Sequence, residues 1–375
     1  MTDRCYLDYN ATARLRPEAR KSVAEGLERI TGNPSSLHGE GRAARAALEE
    51  ARETLATLYG AEPREAVFAA SGTEANNHAL LAGGEGPLLV SAGEHDSVLA
   101  AAPGAERIPL LPSGTVDLDW LADRLKRGPK PSLISVMWVN NETGVVNPLA
   151  EVAALAKSSG ILLHSDAVQA AGKLPVDFAA CGADLLTFSA HKVGAPAGSG
   201  LVLVREGVEL PSLIRGGGQE RRRRAGTESV LCALAYAAAA KAAEATREAT
   251  HARLAAWRES FEAALLEAEP EVTIFGRDAE RIANTTCFSW AGARSETQLM
   301  ALDLAGYAVS AGAACSSGKI TASHVLLAMG AAPDEAGGAL RLSLGWDSRE
   351  EDLPGFLEAW CRFRDRQRSG GLKTA

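Results

Sequence analysis

Short apolar runs recur along the chain, separated by helical spacing and small-residue turns. They are "AVFAA" (66–70), "PLLVS" (87–91), "SLISVMWV" (132–139), "ILLHS" (161–165), "DLLTFS" (184–189) and "GLVLV" (200–204). Runs this short, rich in Val, Ile and Leu and alternating with helical segments, predict a mostly parallel sheet covered by helices. One such segment, "GRAARAALEEARETLATLYG" (41–60), carries Ala and Leu at helical spacing and stops at Gly60, a natural C-cap. From Glu228 to Glu267 the chain is Ala-rich, with neither glycine nor proline, which predicts one long helix leaving the sheet. After Pro270, "VTIFG", "TTCFSWAG" and "ALRLSLG" (339–345) predict new strands among helices, hence a smaller α+β domain.

Composition narrows the function classes. A chain of 375 residues with 46% hydrophobic and 23% charged residues can bury a sizeable core, in two domains or in one large domain with a smaller partner. The formal net charge of −8 argues against direct nucleic-acid binding, which depends on phosphate neutralisation. No 18-residue apolar run is free of charges and "MTDRCYLDYN" lacks a signal-peptide core, so a cytoplasmic protein without a membrane segment is expected. The six cysteines include no C-x-x-C pair, so no metal site is expected, and most read as packing thiols. The run Arg221 to Arg224 reads by itself as a solvated loop.

Ligands of open α/β sheets sit at the carboxyl ends of the strands, so the polar residues that follow each apolar run matter most. "SGTEANN" follows 66–70 as a small-residue turn opening a helix, a place for a phosphate on backbone N–H groups and the Thr73 hydroxyl. "AGEHDSV" puts His95 on the next loop, and "NNETG", "DAVQ" and "SAHK" follow the later runs. Singly each is ordinary. Together, an anion cradle, an acid, an amide pair and a lysine at strand ends match what pyridoxal 5'-phosphate requires: a Schiff-base lysine, an acidic partner for the ring nitrogen and a phosphate site.

The stretch "GAACSSGKIT" (312–321) is close to a nucleotide-binding P-loop but is not one. Five residues rather than four separate Gly312 from Gly318, and Ile320 stands where Ser or Thr must reach Mg²⁺. It leaves Cys315 among residues too small to pack around it.

These motifs resemble those of the cysteine desulfurases, within the class V aminotransferase group of fold type I PLP enzymes. The resemblance runs through "YLDYNATA", "GNPSSLHGEGR", "SGTEANN", "EHDSV", "VNNETGVVNPL", "HSDAVQAAGKLPVDF", "FSAHK", "GGGQERRRRAGTESV", "GAACSSGKITASHVL" and "LRLSLG", in order and over nearly the whole chain. It implies an α/β fold: a large PLP-binding domain (15–250) with a mostly parallel sheet flanked by helices, and a small α+β domain (1–14 and 251–375) bearing a mobile cysteine loop. It also implies that Lys192 is the Schiff-base lysine and the general acid/base at the substrate α-carbon. Asp166 would pair with the ring nitrogen, Gln169 with the ring hydroxyl, and His95 would stack on the ring. Gly72, Thr73, Ser189 and His191 would hold the phosphate, with Thr227 reaching the phosphate of the other subunit of a homodimer. Asn141 and Arg341 would bind the substrate carboxylate, Arg341 as a two-pronged fork, with Asn33 assisting. Cys315 would take the sulfur of L-cysteine as a persulfide, releasing L-alanine, and pass it to a protein acceptor. The "CSSGK" wording is similar to the long-loop subgroup that serves iron–sulfur cluster assembly; thiolation is the other implied destination.

Three departures stand out: "ATAR" where the family often has "ATTP", Ala195-Pro196-Ala197 in place of a Gly-Pro-Lys-Gly run, and Ala322 in place of a proline. None removes a catalytic group. The alternative activity is that of a selenocysteine lyase or another class V aminotransferase-like enzyme; Cys315 weighs against transamination, which needs no protein thiol.

Overall fold

The computed structural model describes residues 4–312 and 322–371. At its centre is a seven-stranded sheet in the order Ala66–Ala69, Gly200–Val204, Leu185–Ser189, Leu162–Asp166, Leu133–Ser135, Leu88–Ser91 and Glu106–Ile108. Gly200–Val204 runs antiparallel to both its neighbours. The other pairings are all parallel, so six of the seven strands share one direction and carry their carboxyl ends to one edge.

Burial on both faces explains why the apolar runs are nearly continuous. In Gly200–Val204, Leu201 and Leu203 enter the core on one side while Val202 and Val204 enter the core on the other, the two-residue period of a strand. Glu106–Ile108 has no sequence counterpart among the apolar runs, because only Ile108 of this edge strand is buried. Within the run 132–139 the regular strand is Leu133–Ser135, but Val136 and Trp138 N–H still bond the His164 and Asp166 carbonyls at 3.1 and 2.9 Å, which carries the backbone on to Asn140 and Asn141 beside the end of Leu162–Asp166.

A second sheet of four strands, in the order Ser310–Ala311, Leu340–Ser343, Thr285–Ser289 and Thr273–Ile274, is antiparallel throughout. It has a core of its own, in which Phe288 and Trp290 meet Trp360 edge-on and Phe356 is fully buried. Cys5–Tyr6 pairs in parallel with Tyr307–Ala308, tying the N-terminal segment to this side of the molecule.

The single long helix expected over 228–267 is two helices, Val230–Ala245 and Arg247–Ala268. Thr246 separates them, at φ −112° and ψ 4°. Its hydroxyl bonds back to the Ala242 and Ala243 carbonyls at 3.1 and 3.4 Å, a side-chain bond that competes with the helical ladder. Residue 250, the domain boundary expected from the sequence, falls inside the second helix.

The arginine run is only partly solvated. Glu220, Arg221 and Arg222 have φ of 44°, 54° and 67°, a conformation costly for residues with a Cβ. What holds it is Glu220, whose carboxylate takes both Nη atoms of the buried Arg52 at 2.7 Å and the Phe68 N–H at 2.9 Å. Arg224 pairs with Glu74 at 2.8 Å. Glu220→Gln leaves the buried Arg52 with Glu49, 3.1 Å from its Nε, as its remaining carboxylate, and is expected to cost about 2–4 kcal/mol of unfolding free energy. Urea titration checks this; a loss below about 1 kcal/mol would mean that the pair does not hold the turn.

Candidate active site

At the shared edge of the large sheet lies a cavity of about 460 Å³. Of the residues singled out in the sequence, Gly72, Thr73, His95, Asn141, Asp166, Gln169, Ser189, His191, Lys192 and Arg341 all line it. Asn33 does not: it is exposed, and its side chain accepts from Ser35 N–H. Thr227 is exposed and lines a different hollow, with Arg224 and Ser199. Cys315 lies outside the described residues.

The phosphate-like corner forms where Ala66–Ala69 turns into the helix Gly72–Leu80. Ser71 caps that helix, its hydroxyl accepting from Glu74 N–H at 3.1 Å and its carbonyl from Ala75 N–H at 3.0 Å. Of the first helical N–H groups, those of Gly72 and Thr73 are left for an anion. The corner is tight: a Cβ on Gly72 would sit 3.0 Å from that of Ser189. His191 closes it, its imidazole bonded to the Thr12 hydroxyl at 3.0 Å and its pKa pushed down to about 4 by burial and then by Lys192.

Asp166 ends the strand Leu162–Asp166, buried, with one carboxylate oxygen on Val168 N–H at 2.9 Å and the other on Asn76 Nδ2 at 2.7 Å. Behind it runs a polar chain that the sequence did not disclose. His164 is fully buried, and burial lowers its pKa to about 3, so its ring is neutral. Thr187 donates its only hydroxyl proton to Asn76 Oδ1 and must therefore accept from His164 Nε2–H, leaving Nδ1 to accept from Ser135 at 2.9 Å. Every proton in the chain points toward Asp166. Asn76 also donates to Ser97 Oγ at 2.8 Å. The Ser97 backbone N–H, which can only donate, reaches His95 Nδ1 at 3.1 Å, so the neutral His95 ring carries its proton on Nε2.

Lys192 follows the strand Leu185–Ser189 in a short turn, Ala190–Lys192. Its Nζ donates to the carbonyls of Asn10 and Ala11 at 2.6 and 2.9 Å. Burial, then Arg341, lowers its pKa to about 8, against the pull of Asp166 and Asp8. Arg341 enters from the second sheet, in Leu340–Ser343, 3% exposed. Its Nη1 donates to the Asn141 carbonyl at 3.0 Å and its Nη2 to Asp8 at 2.7 Å. Its buried Nε has no partner among the described residues. Arg341 is thus already engaged by the protein through one N–H of each Nη, while the remaining N–H of each Nη and the buried Nε–H have no partner among the described residues.

The family described as aminotransferase class-V matches residues 5–356. The chain belongs to the class-V aminotransferase family. Among curated proteins it is 38% identical over 366 residues to a cysteine desulfurase of Sinorhizobium fredii, covering 94% of each chain. It is also 38% identical to an IscS-like cysteine desulfurase of Mycobacterium tuberculosis, covering 99% of this chain and 98% of the other. Among solved structures, a NifS-like protein from Rickettsia africae superposes with a TM-score of 0.90 at 31% identity, covering 96% of this chain and 99% of that one. Class-V aminotransferases are generally PLP-dependent, and the cavity suits that cofactor: a glycine-floored anion corner, a buried strand-end carboxylate, and a lysine of lowered pKa between them.

Lowered lysine basicity has a measurable sign. Below about pH 8 Lys192 is charged in both folded and unfolded chains; between about 8 and 10.5 only the unfolded chain keeps the proton, so the burial penalty is relieved as pH rises. The stability of the cofactor-free protein minus that of Lys192→Met is therefore expected to increase across this window. A difference that stays flat in urea titrations from pH 7 to 10.5 would contradict the lowered pKa.

Proposed function

We propose that this chain is a PLP-dependent cysteine desulfurase, converting L-cysteine to L-alanine and placing the sulfur on Cys315 for delivery to a protein acceptor in iron–sulfur cluster assembly or thiolation. The observation that carries the reading is the meeting, in one cavity, of Lys192, Asp166 and the buried Arg341, whose guanidinium keeps donors unpaired among the described residues. The cysteine desulfurases that the chain resembles over nearly its full length give the substrate.

In this reading Gly72, Thr73, Ser189 and His191 would hold the phosphate, Asp166 would serve the ring nitrogen, Gln169 the ring hydroxyl and His95 the ring face, and Lys192 would supply the amine for the covalent link. When bound, the cofactor supplies an electron sink for charge that develops at the substrate α-carbon. The unpaired donors of Arg341, with Asn141, would fix the substrate carboxylate. Lys192, poised near pH 8, takes the α-proton and later returns a proton as general acid. Asp166 accepts from Val168 N–H and from Asn76 Nδ2, the end of the chain through Thr187 and His164, and would present its carboxylate to the ring nitrogen. The Cys315 thiolate attacks the substrate sulfur, so the carbon–sulfur bond breaks as a sulfur–sulfur bond forms, and the carbon takes a proton to leave as alanine. A thiol reductant then frees sulfide, or an acceptor thiol takes the outer sulfur. Thr227, exposed beside the strained turn, is assigned to the phosphate of a second subunit, which makes the working form a homodimer.

Incubation of the reconstituted protein with L-cysteine and a dithiol is expected to give alanine and sulfide in equal amounts. Cys315→Ser should keep the cofactor and the substrate-induced spectral change yet lose turnover by orders of magnitude, since a hydroxyl can neither attack sulfur at neutral pH nor carry a persulfide. Native-like turnover in that variant, or alanine without sulfide, would overturn the reading.

A further inference from the structure

A second lysine lies behind the cavity wall. Lys173 follows Gly172, whose φ is 68° and where a Cβ would meet that of Ala243 at 2.9 Å; the glycine lets the backbone turn hard against the helix Val230–Ala245. The Lys173 side chain is half-buried, and its Nζ donates to Gln169 Oε1 at 2.5 Å. On the other side of the same amide, Gln169 Nε2 donates to the Asn10 carbonyl at 2.9 Å. That carbonyl is the one that also receives Lys192 Nζ at 2.6 Å.

An amide can sit either way round unless its neighbours forbid it. Here they do. A protonated Lys173 has only protons to give and the Asn10 carbonyl only lone pairs, so the oxygen of Gln169 faces Lys173 and its NH₂ faces Asn10, leaving a second N–H on a side chain that lines the cavity. Even a partly buried ammonium is a costly way to hold one amide. Its pKa is pushed down to about 7 by burial and by the nearby Lys192 and Arg341, so charge pairing does not account for its position.

We propose that Lys173 is a positioning residue that locks the Gln169 amide with its N–H face toward the cavity, so that the site presents a donor to an acceptor oxygen of its ligand. It touches neither substrate nor cofactor. The inference rests on the reading that pyridoxal phosphate fills this cavity, where the ring hydroxyl is the oxygen that Gln169 would meet. Without Lys173 only the Asn10 carbonyl opposes the turn of the amide, so the flipped form, which offers its own oxygen to the ligand oxygen, becomes more populated. A cation near the lysine–cofactor link also disfavours protonation there.

The test uses the full chain stripped of cofactor and titrated with pyridoxal phosphate, with affinity read by equilibrium dialysis and the pH midpoint of the visible absorbance read spectroscopically. Wild-type protein should bind and colour; failure here would overturn the cofactor reading itself, and the inference with it. Given wild-type binding, Lys173→Met is expected to weaken affinity about tenfold, the equivalent of one hydrogen bond to a charged oxygen, and to raise the absorbance midpoint. Lys173→Arg, again a pure donor, should stay within about twofold of wild type. Gln169→Glu keeps an oxygen for Lys173 but deletes the cavity-facing N–H, so it should lose affinity to a similar degree; this variant decides the matter if Lys173→Met does not fold. In a Gln169→Ala background, Lys173→Met should add less than about a twofold further loss of affinity. Wild-type affinity and midpoint in Lys173→Met, wild-type affinity in Gln169→Glu, or fully additive losses in the double variant would each overturn the assignment while leaving the cofactor reading intact.

Discussion

One buried residue, Asn10, joins the parts that make the cavity. Its carbonyl accepts from Lys192 at the end of the large sheet and from Gln169 on the neighbouring loop. Its side-chain amide donates to Thr285 of the second sheet and to the Asn141 carbonyl, and accepts from Asn284. Its own N–H reaches Ser343 Oγ at 2.9 Å. At 1% exposure each of these groups would be expensive to leave unpaired, so the N-terminal segment, the large sheet and the four-stranded sheet are held to a common geometry by the need to satisfy one asparagine.

Charge follows from that geometry. Burial is the main reason that Lys192 and Lys173 fall well below their usual range, with Arg341 adding to it at both and Lys192 adding to it at Lys173. Asp166 and Asp8 offset this from opposite sides, Asp8 by engaging one arm of Arg341. Glu142, buried next to Asn141, is pushed up to about 7 by its burial despite a short bond from Ser323 and the nearby Arg341. A lysine meant to exchange protons at an α-carbon needs this kind of environment, in which neither protonation state is heavily favoured near neutral pH.

Much of this was legible in the sequence, and the rest was hidden for physical reasons. The strand-end rule found His95, Asn141, Asp166, Ser189, His191 and Lys192, because parallel strands carry their following residues to one edge. It could not find His164 or Thr187, which lie inside strands and read as ordinary members of "ILLHS" and "DLLTFS"; their polarity matters only because cross-strand pairing sets them beside Asn76. Lys173 was not singled out, since nothing in its own neighbourhood of the sequence shows the amide it faces. Arg341 was found, but not its occupied arms, because Asp8 lies 333 positions away. The break at Thr246 was missed because a single back-bonding threonine leaves helical periodicity untouched.

The assignment of Lys192 as the residue that engages the cofactor can be read most directly by covalent trapping. The protein would be loaded with pyridoxal phosphate, reduced with borohydride, digested and mapped by mass spectrometry, since reduction fixes the cofactor on whichever amine held it. The added mass is expected on the peptide containing Lys192. Its appearance on Lys173 instead, or on neither lysine, would contradict the account.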